Sequence, residues 1–315
     1  MGWAAVSGAV GGATVATTTG GGSTTPTVVT SVADFTSAVS GTSPGVVYVS
    51  GNLNGSVGIG SNKTVVGICG ATFTGHLDLS RSVNVIVRNL TIVGFNCKDA
   101  DAVAAGQCSS GADAVTIVND AHHIWFDHDD ISDGSDGNLD TTEGSDFVTI
   151  SWTKFHYSSL RADLPGGSDS TGAEGHRFSN LIGAADSLPI DVGHLNITFH
   201  HDWWADNVDQ RMPRTRAGKI HVLNNLYTAT GDSYCIGIGV GANVRNEGNA
   251  FIDVKAPLNE TFMDSTSIVT SINDLYTGVA AAGPNLGTAF TPPYAFTVDD
   301  PSTVQAEVMA GAGPH

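Results

Sequence analysis

The sequence predicts an all-β chain built as a stack of parallel β-coils, clearest over residues 83–253. Three observations carry the prediction. Gly supplies 39 of 315 residues, which suits many tight turns. Charged residues are only 14%, against about 25% in ordinary soluble domains, which argues against helical bundles. Third, six segments repeat one pattern: apolar alternation, a polar step, then a second short strand. They are VIVRNLTI (85–92), IWFDHDDI (124–131), VTISWTKF (148–155), ITFHHDWW (197–204), IHVLNNLY (220–227) and VRNEGNAF (244–251). Their starts lie 39, 24, 49, 23 and 24 residues apart. A spacing of 23 or 24 is one turn of a coil, and the two longer ones are a coil plus a loop.

Taken in order, residues 1–30 read as an irregular Gly/Thr/Ser-rich entry. SVADFTSAVSG (31–41) carries a helix signal: Ser31 as N-cap with Asp34 three residues on, Phe35 and Val39 on one face, and Gly41 as the stop. Such a helix would cap an open end of the stack. Coils are expected over about 45–255. The first long spacing falls between Cys97 and Cys108, the second within 156–193. The sixth position of the repeats reads Leu90, Asp129, Thr153, Asp202, Asn225 and Asn249. Amides and carboxylates recurring at one bend can bond each other and the turn backbone, while inward Val, Ile and Leu stack into a continuous core. A β-sandwich would place strands every 8–12 residues, which fits the spacing less well. Residues 256–315 are expected to pack on the outside of the stack, ending in a helix over 301–311 (PSTVQAEVMAG). The whole chain, 1–315, is read as one domain.

The net charge is −18, which argues against a nucleic-acid partner, since phosphate binding needs clustered Lys and Arg. Surplus acid serves solubility or includes cation ligands. Of the 13 basic residues, Arg211, Arg214, Arg216 and Lys219 fall within nine positions. A local Cys97–Cys108 disulfide is expected, with Cys69 and Cys235 as buried thiols too many coils apart to bridge. No apolar run approaches the roughly 20 residues of a membrane helix. The opening MGWAAVSGAVGG lacks a basic start and apolar core, and reads as a start after removal of a secretion signal.

Three constellations could carry chemistry. Asp113 precedes the strand AVTIV, and Asp136 and Asp140 lie one coil on, in DGNLD. Residues i and i+4 of an extended segment share a face, so three carboxylates would converge and either repel or hold a hard cation such as Ca²⁺. The plain alternative is a set of solvated turn acids. The second is RMPRTR (211–216). Arg grips carboxylates, and acts as a base only where burial and neighbouring cations depress its pKa. The plain alternative is a salt-bridged turn. The third comprises Trp125, Asp127, His128, His200, His201, Trp203 and Trp204, which read chiefly as core or turn residues. Adjacent strand residues point oppositely, which argues against zinc at His200, His201 and Asp202.

Together, SNKTVVG (61–67), NVIVRNLTI (84–92), DAVTI (113–117), IWFDH (124–128), DGNLDTTEGSDFVTISW (136–152), ITFHHDWW (197–204), RMPRTRAGKIHVLNNLY (211–227) and the tail PSTVQAEVMAGAGP resemble the pectate lyase family, which includes pectin lyases and pollen allergens. The resemblance implies a right-handed parallel β-helix. It implies a secreted enzyme that cleaves polygalacturonate by β-elimination; a capped solenoid has little need for a partner, so a monomer is expected. It places calcium ligands on Asp113, Asp136 and Asp140, the base on Arg211 and a substrate contact on Arg216. A further acid that some members carry two residues before the first Asp is here Gly111. The family's basic substrate contact on the coil after DGNLD does not align without a shift: Arg177 is the first candidate and Arg161 the second. Three retained acids favour pectate over methylated pectin. Pectin lyase, a polygalacturonase-type hydrolase and a non-catalytic carbohydrate-binding β-helix remain the alternatives.

Overall fold

Parallel pairing at coil spacing, in a computed structural model that describes residues 1–95, 113–158, 176–283 and 285–315, extends well beyond the stretch where the repeat is legible. The strands fall on three faces. The first face carries Val115–Ile117, Leu139–Thr141, Leu181–Ile182, Arg214–Thr215, Ile236–Gly239 and Leu258–Phe262, each paired in parallel with the next. The second runs from Val83–Arg88 through His122–Asp127, Asp146–Ser151, Asn196–His200, Lys219–Leu223 and Asn243–Glu247 to Ile268–Ile272. The third runs from Thr91–Val93 to Leu275–Thr277.

One expectation, about the C-terminal end, is corrected. Before the legible repeat, Gly45–Gly58 and Lys63–Asp78 form long paired strands, and Thr27–Val29 pairs with the first of them. After it, Leu258–Thr277 completes another coil rather than packing outside. Only the tail beyond it is external. There Leu286 pairs antiparallel with Val269, and the Tyr294 hydroxyl lies 2.7 Å from Thr198 Oγ1 and 2.8 Å from His221 Nδ1.

The bend expected to carry amides and carboxylates is a hydrogen-bonded ladder. Oδ1 of Asp129, Asp202, Asn225, Asn249 and Asp274 accepts from the backbone N–H of Leu90, Thr153, Asp202, Asn225 and Asn249, at 2.8–2.9 Å. Each acceptor follows a residue of positive φ: His128, His201, Asn224, Gly248 and Asn273. The kink aims the side chain at the coil below, where it satisfies an N–H that would otherwise cost about 1–3 kcal/mol buried. Inside, Phe155, Trp204, Tyr227, Phe251 and Tyr276 stack coil upon coil, with centroids 4.5–5.5 Å apart.

Both helices form. Helix α1, Val32–Val39, starts at Ser31, whose hydroxyl accepts from Asp34 N, and buries Phe35 and Val39 as expected. Helix α2, Pro301–Gly311, is capped by Asp300 and buries Val304 and Val308 against Leu226 and Ala250, each worth about 1.5–3 kcal/mol. Cys235 is buried, but Cys69 is exposed within the Lys63–Asp78 strand, where its φ is 56°, against expectation. Cys97, Cys108, Gly111 and Arg161 lie outside the described residues.

Candidate functional site

The first face gathers most of the chemistry read from the sequence. Its register sets Thr116, Asp140, Leu181, Arg214 and Gly237 in one outward column, while Val115, Leu139, Ile182 and Ile238 fill the core. Asp113 enters just before its strand, its carbonyl held by the His76 ring at 2.6 Å. One coil on, Gly137 separates Asp136 from the strand of Asp140. On the next coil Phe178 bridges Gly137 below to Gln210 above, and Arg211 follows immediately.

Asp113 and Asp140 are both buried, and their carboxylates face a common point. A Cβ placed on Gly137 would sit 2.8 Å from Asp140 Oδ1 and 2.9 Å from Asp113 Oδ1. A side chain there would fill the space between the two acids, so glycine keeps it open. Asp113 Oδ1 is buried with no hydrogen-bond partner, an expensive state for a carboxylate oxygen. Burial, then Asp140, then Asp136, hold the Asp113 carboxyl well above the ordinary range. Asp140 is pushed up to about 7, chiefly by burial, although Arg211 and the Leu181 N–H oppose the rise; that N–H donates to Asp140 Oδ1 at 2.8 Å. Two acids forced together and left with an orphan oxygen suit a hard divalent cation, which takes oxygen ligands at about 2.3–2.6 Å.

Asp136 joins them only in part. It precedes the strand, at a bend rather than on an extended run, and its Oδ1 lies 3.0 Å from His176 Nε2. Among the described residues no three His, Cys, Asp or Glu side chains close around one point. His176 was not singled out from the sequence, and neither was Phe178. The His176 and Phe178 rings lie 3.8 Å apart between centroids, and the Arg211 guanidinium lies 4.3 Å over Phe178. A chain of contacts therefore runs Asp136, His176, Phe178, Arg211. The one available signal was the two-residue spacing of His176 and Phe178, which sets both on one face of an extended segment.

Arg211 has φ 63°, a left-handed conformation that costs a residue with a Cβ about 1–2 kcal/mol. The kink lets Met212 bury completely while the neighbouring guanidinium turns outward. Arg211 O accepts from Asn180 N at 2.7 Å, and Met212 N donates to Cys235 O at 2.7 Å, so the coils on both sides hold the kink. Among the described residues, the Arg211 guanidinium makes no hydrogen bond or ion pair, and its Nε is buried without a partner. Arg216, two residues beyond Arg214 on the same face, donates from Nη1 to Gly183 O at 2.8 Å and from Nε to Asp186. Arg177 is buried and donates from Nη1 to Asn207 O. The structure uses its guanidinium to hold the loop at Asn207, and it is Phe178 that lies against Arg211.

The remaining aromatic and imidazole residues do structural work. Trp204 lies in the core stack. Trp125 Nε1 donates to Ser151 Oγ, and Ser151 Oγ to Asp127 Oδ1. His201 Nε2 lies 2.7 Å from Asp299 in the external tail, with Trp152 stacked on its ring at 4.3 Å. No helix is long and apolar enough to cross a membrane among the described residues.

Comparison with known proteins places the chain among relatives of one family. A family profile described as pectate lyase matches residues 1–310. Pectate lyase A of Emericella nidulans is 33% identical over 297 residues, spanning 90% of this chain and 80% of that one. Pectate lyase A of Aspergillus niger gives the same identity and coverage. Among solved structures, a pectate lyase from Bacillus sp. N165 in complex with trigalacturonate superposes with a TM-score of 0.78 at 19% identity, covering 100% of this chain and 98% of that one. The major cedar pollen allergen superposes at 0.70 and 21% identity, covering 95% and 91%. These structural matches establish the right-handed parallel β-helix.

Proposed function

The chain belongs to the pectate lyase family and is a polysaccharide lyase, and from that premise we propose that it acts outside the cell, with Ca²⁺, on α-1,4-linked polygalacturonate, releasing 4,5-unsaturated oligogalacturonides. One observation carries the reading: buried Asp113 and Asp140 share an opening at Gly137 on the same face as Arg211, whose guanidinium no acid pairs among the described residues.

Asp113 and Asp140 would hold the cation, with Asp136 turning from His176 to join them. Bound there, Ca²⁺ supplies Lewis-acid stabilisation of charge developing on a galacturonate carboxylate. The chain's own residues do the rest. The C5 proton of galacturonate is acidified by its α-carboxylate. Arg211, held over Phe178 and kinked outward, must first give up a proton to solvent; its neutral guanidine nitrogen then takes the C5 proton, the C–H electron pair forms the C4=C5 double bond, and the C4–O bond breaks with the departing oxygen protonated by water. Arg216 grips a neighbouring uronate carboxylate with the donors that Gly183 and Asp186 leave. The basic cluster also offsets repulsion between a polyanionic substrate and a chain of charge −18.

The test is incubation with polygalacturonate, and separately with methylated pectin, while ultraviolet absorbance of the unsaturated product is followed with and without a chelator. Chelator-sensitive absorbance on the de-esterified polymer is expected. New reducing ends without absorbance would mean hydrolysis. Preference for methylated pectin would mean a pectin lyase. Absorbance indifferent to chelator would overturn the cation assignment, and no cleavage of either polymer would leave a binding protein.

A further inference from the structure

Arg214 is the basic residue of the cluster that the reaction above does not use. Arg88, Arg216 and Arg245 each pair with an acid. Arg214 makes no ion pair among the described residues, in a chain with 31 acidic and 13 basic residues. Its Nε is buried without a partner. Burial, then the charge of Arg216, press its pKa below the ordinary arginine value. A half-buried guanidinium beside two others, opposed only by Asp186, which itself pairs with Arg216, is unfavourable in the free protein, and an anionic ligand would lessen the deficit.

The surroundings are shaped for one. The guanidinium lies 4.2 Å over the Phe262 ring, which fixes its plane. Next to Arg214 in the outward column comes Gly237. A Cβ on Gly237 would meet Tyr234 Cε2 at 2.9 Å and Arg214 Cγ at 3.2 Å, so only glycine lets the tyrosine ring and the arginine stem pack directly over this floor. The Tyr234 hydroxyl donates to Gln210 Oε1 at 3.0 Å, which braces that wall against the segment leading into Arg211. Arg214 stands two strands from Asp140 in the column, about 10 Å at normal strand spacing. A polymer gripped at the acids and at Arg211 would pass over it.

We propose that Arg214, floored by Gly237 and flanked by Phe262 and Tyr234, forms a further uronate-carboxylate subsite that extends the groove from Arg211 towards the C-terminal coils. This rests on the pectate reading and adds a specificity-determining residue to it. Bidentate capture by a pre-oriented fork gives this subsite its selectivity for de-esterified units, since a methyl ester cannot accept as a carboxylate does.

The test compares the parent protein with Arg214→Ala, Arg214→Gln and Arg214→Lys, all shown folded by melting. Initial rates are measured on polygalacturonate, and binding of a trimer and a hexamer of galacturonate by calorimetry. For the Ala and Gln variants KM is expected to rise about tenfold or more with kcat within about threefold. Hexamer affinity should fall more than trimer affinity, Ca²⁺ affinity should stay unchanged, and Lys should recover part of the loss. An unchanged KM in both neutral variants, with the parent active, would overturn the subsite alone, as would loss confined to kcat. A parent that neither cleaves nor binds polygalacturonate would overturn the lyase reading and the subsite together.

Discussion

Replacing Asp140 by Asn separates the two costs that the site carries. Asp140 Oδ1 accepts from Leu181 N at 2.8 Å, and an Asn amide oxygen can keep that bond while removing the charge. The carboxyl is displaced from 3.8 to about 7, chiefly by burial. At about 1.4 kcal/mol per pH unit, the ionised folded form carries a penalty of up to about 4 kcal/mol, part of it shared with Asp113. The sign follows from proton binding. Below about pH 4 the carboxyl is protonated in both states and costs nothing. Between pH 4 and 7 the unfolded chain ionises while the fold holds its proton, so stability falls as pH rises; above 7 the full penalty stands. With a chelator present at pH 8, Asp140→Asn should therefore melt about 3–6 °C above the parent, taking about 1.5 °C per kcal/mol for 315 residues. At pH 4 the two should melt together. Saturating Ca²⁺ should raise the parent, by about 2.7 kcal/mol at a hundredfold excess over Kd, and leave the variant unmoved. Other buried carboxyls, Asp129 and Asp202 among them, are also raised, so the informative quantity is the difference between the two proteins across pH. A variant that melts at or below the parent at pH 8 without Ca²⁺, or that gains equally from Ca²⁺, would refute the reasoning.

Four more outcomes are expected. Arg211→Ala should lose nearly all lyase activity with Ca²⁺ affinity intact by calorimetry; substantial residual turnover would remove it as the base. Gly137→Ala should weaken Ca²⁺ binding at least a hundredfold while every acid is kept, because the new Cβ would lie under 3.0 Å from Asp113 Oδ1 and Asp140 Oδ1. His176→Ala should weaken Ca²⁺ about tenfold, as loss of a ligand's supporting partner does, and lower kcat through Phe178; a lower melting point with both constants unchanged would make His176 merely structural. Asp202→Asn should match or exceed the parent's melting temperature at pH 8. Its amide can donate to Ile150 O as Asn225 does to Phe199 O, whereas Asp202→Ala should lose about 1–3 kcal/mol by orphaning Thr153 N.

The stack was legible because its core obeys a short repeat. Val and Ile at alternate positions and a carboxylate or amide at a fixed step recur every 23 or 24 residues, and the ladder from Asp129 to Asn249 is that recurrence made physical. The ends were less legible for reasons visible in their residues. The Gly45–Gly58 and Lys63–Asp78 strands continue through positions where the later coils bend, so the polar step that marks a coil is missing. Leu258–Phe262 is half exposed, so its alternation is diluted with Asn, Glu and Thr. Cys69 was expected to be a buried thiol, but its positive φ within the strand leaves it exposed.

The candidate site divides along a similar line. The structure brings Asp113, Asp140, Arg211 and Arg216 to one face because each sits in a short segment whose backbone register fixes its direction. Asp136 was placed beside Asp140 by treating DGNLD as extended throughout, yet the strand begins only at Leu139, so the i, i+4 argument fails one bend too early. Arg177 was chosen because it is basic and close to the right position. One residue's difference decides such a choice in extended chain, where neighbours face opposite ways: the Arg177 side chain goes to Asn207, and His176 and Phe178 go to the site. Among the described residues, the coil after DGNLD thus gives the groove an imidazole and a phenyl ring. Among the same residues, the run 211–216 supplies three arginines to this face. Three arginines within six residues, two of them unpaired among the described residues in a chain of net charge −18, are hard to explain as packing. Asp113 and Asp140 balance Arg211 only at a distance, and Asp186 does the same for Arg214; a polyuronate would bring carboxylates that pair with them directly.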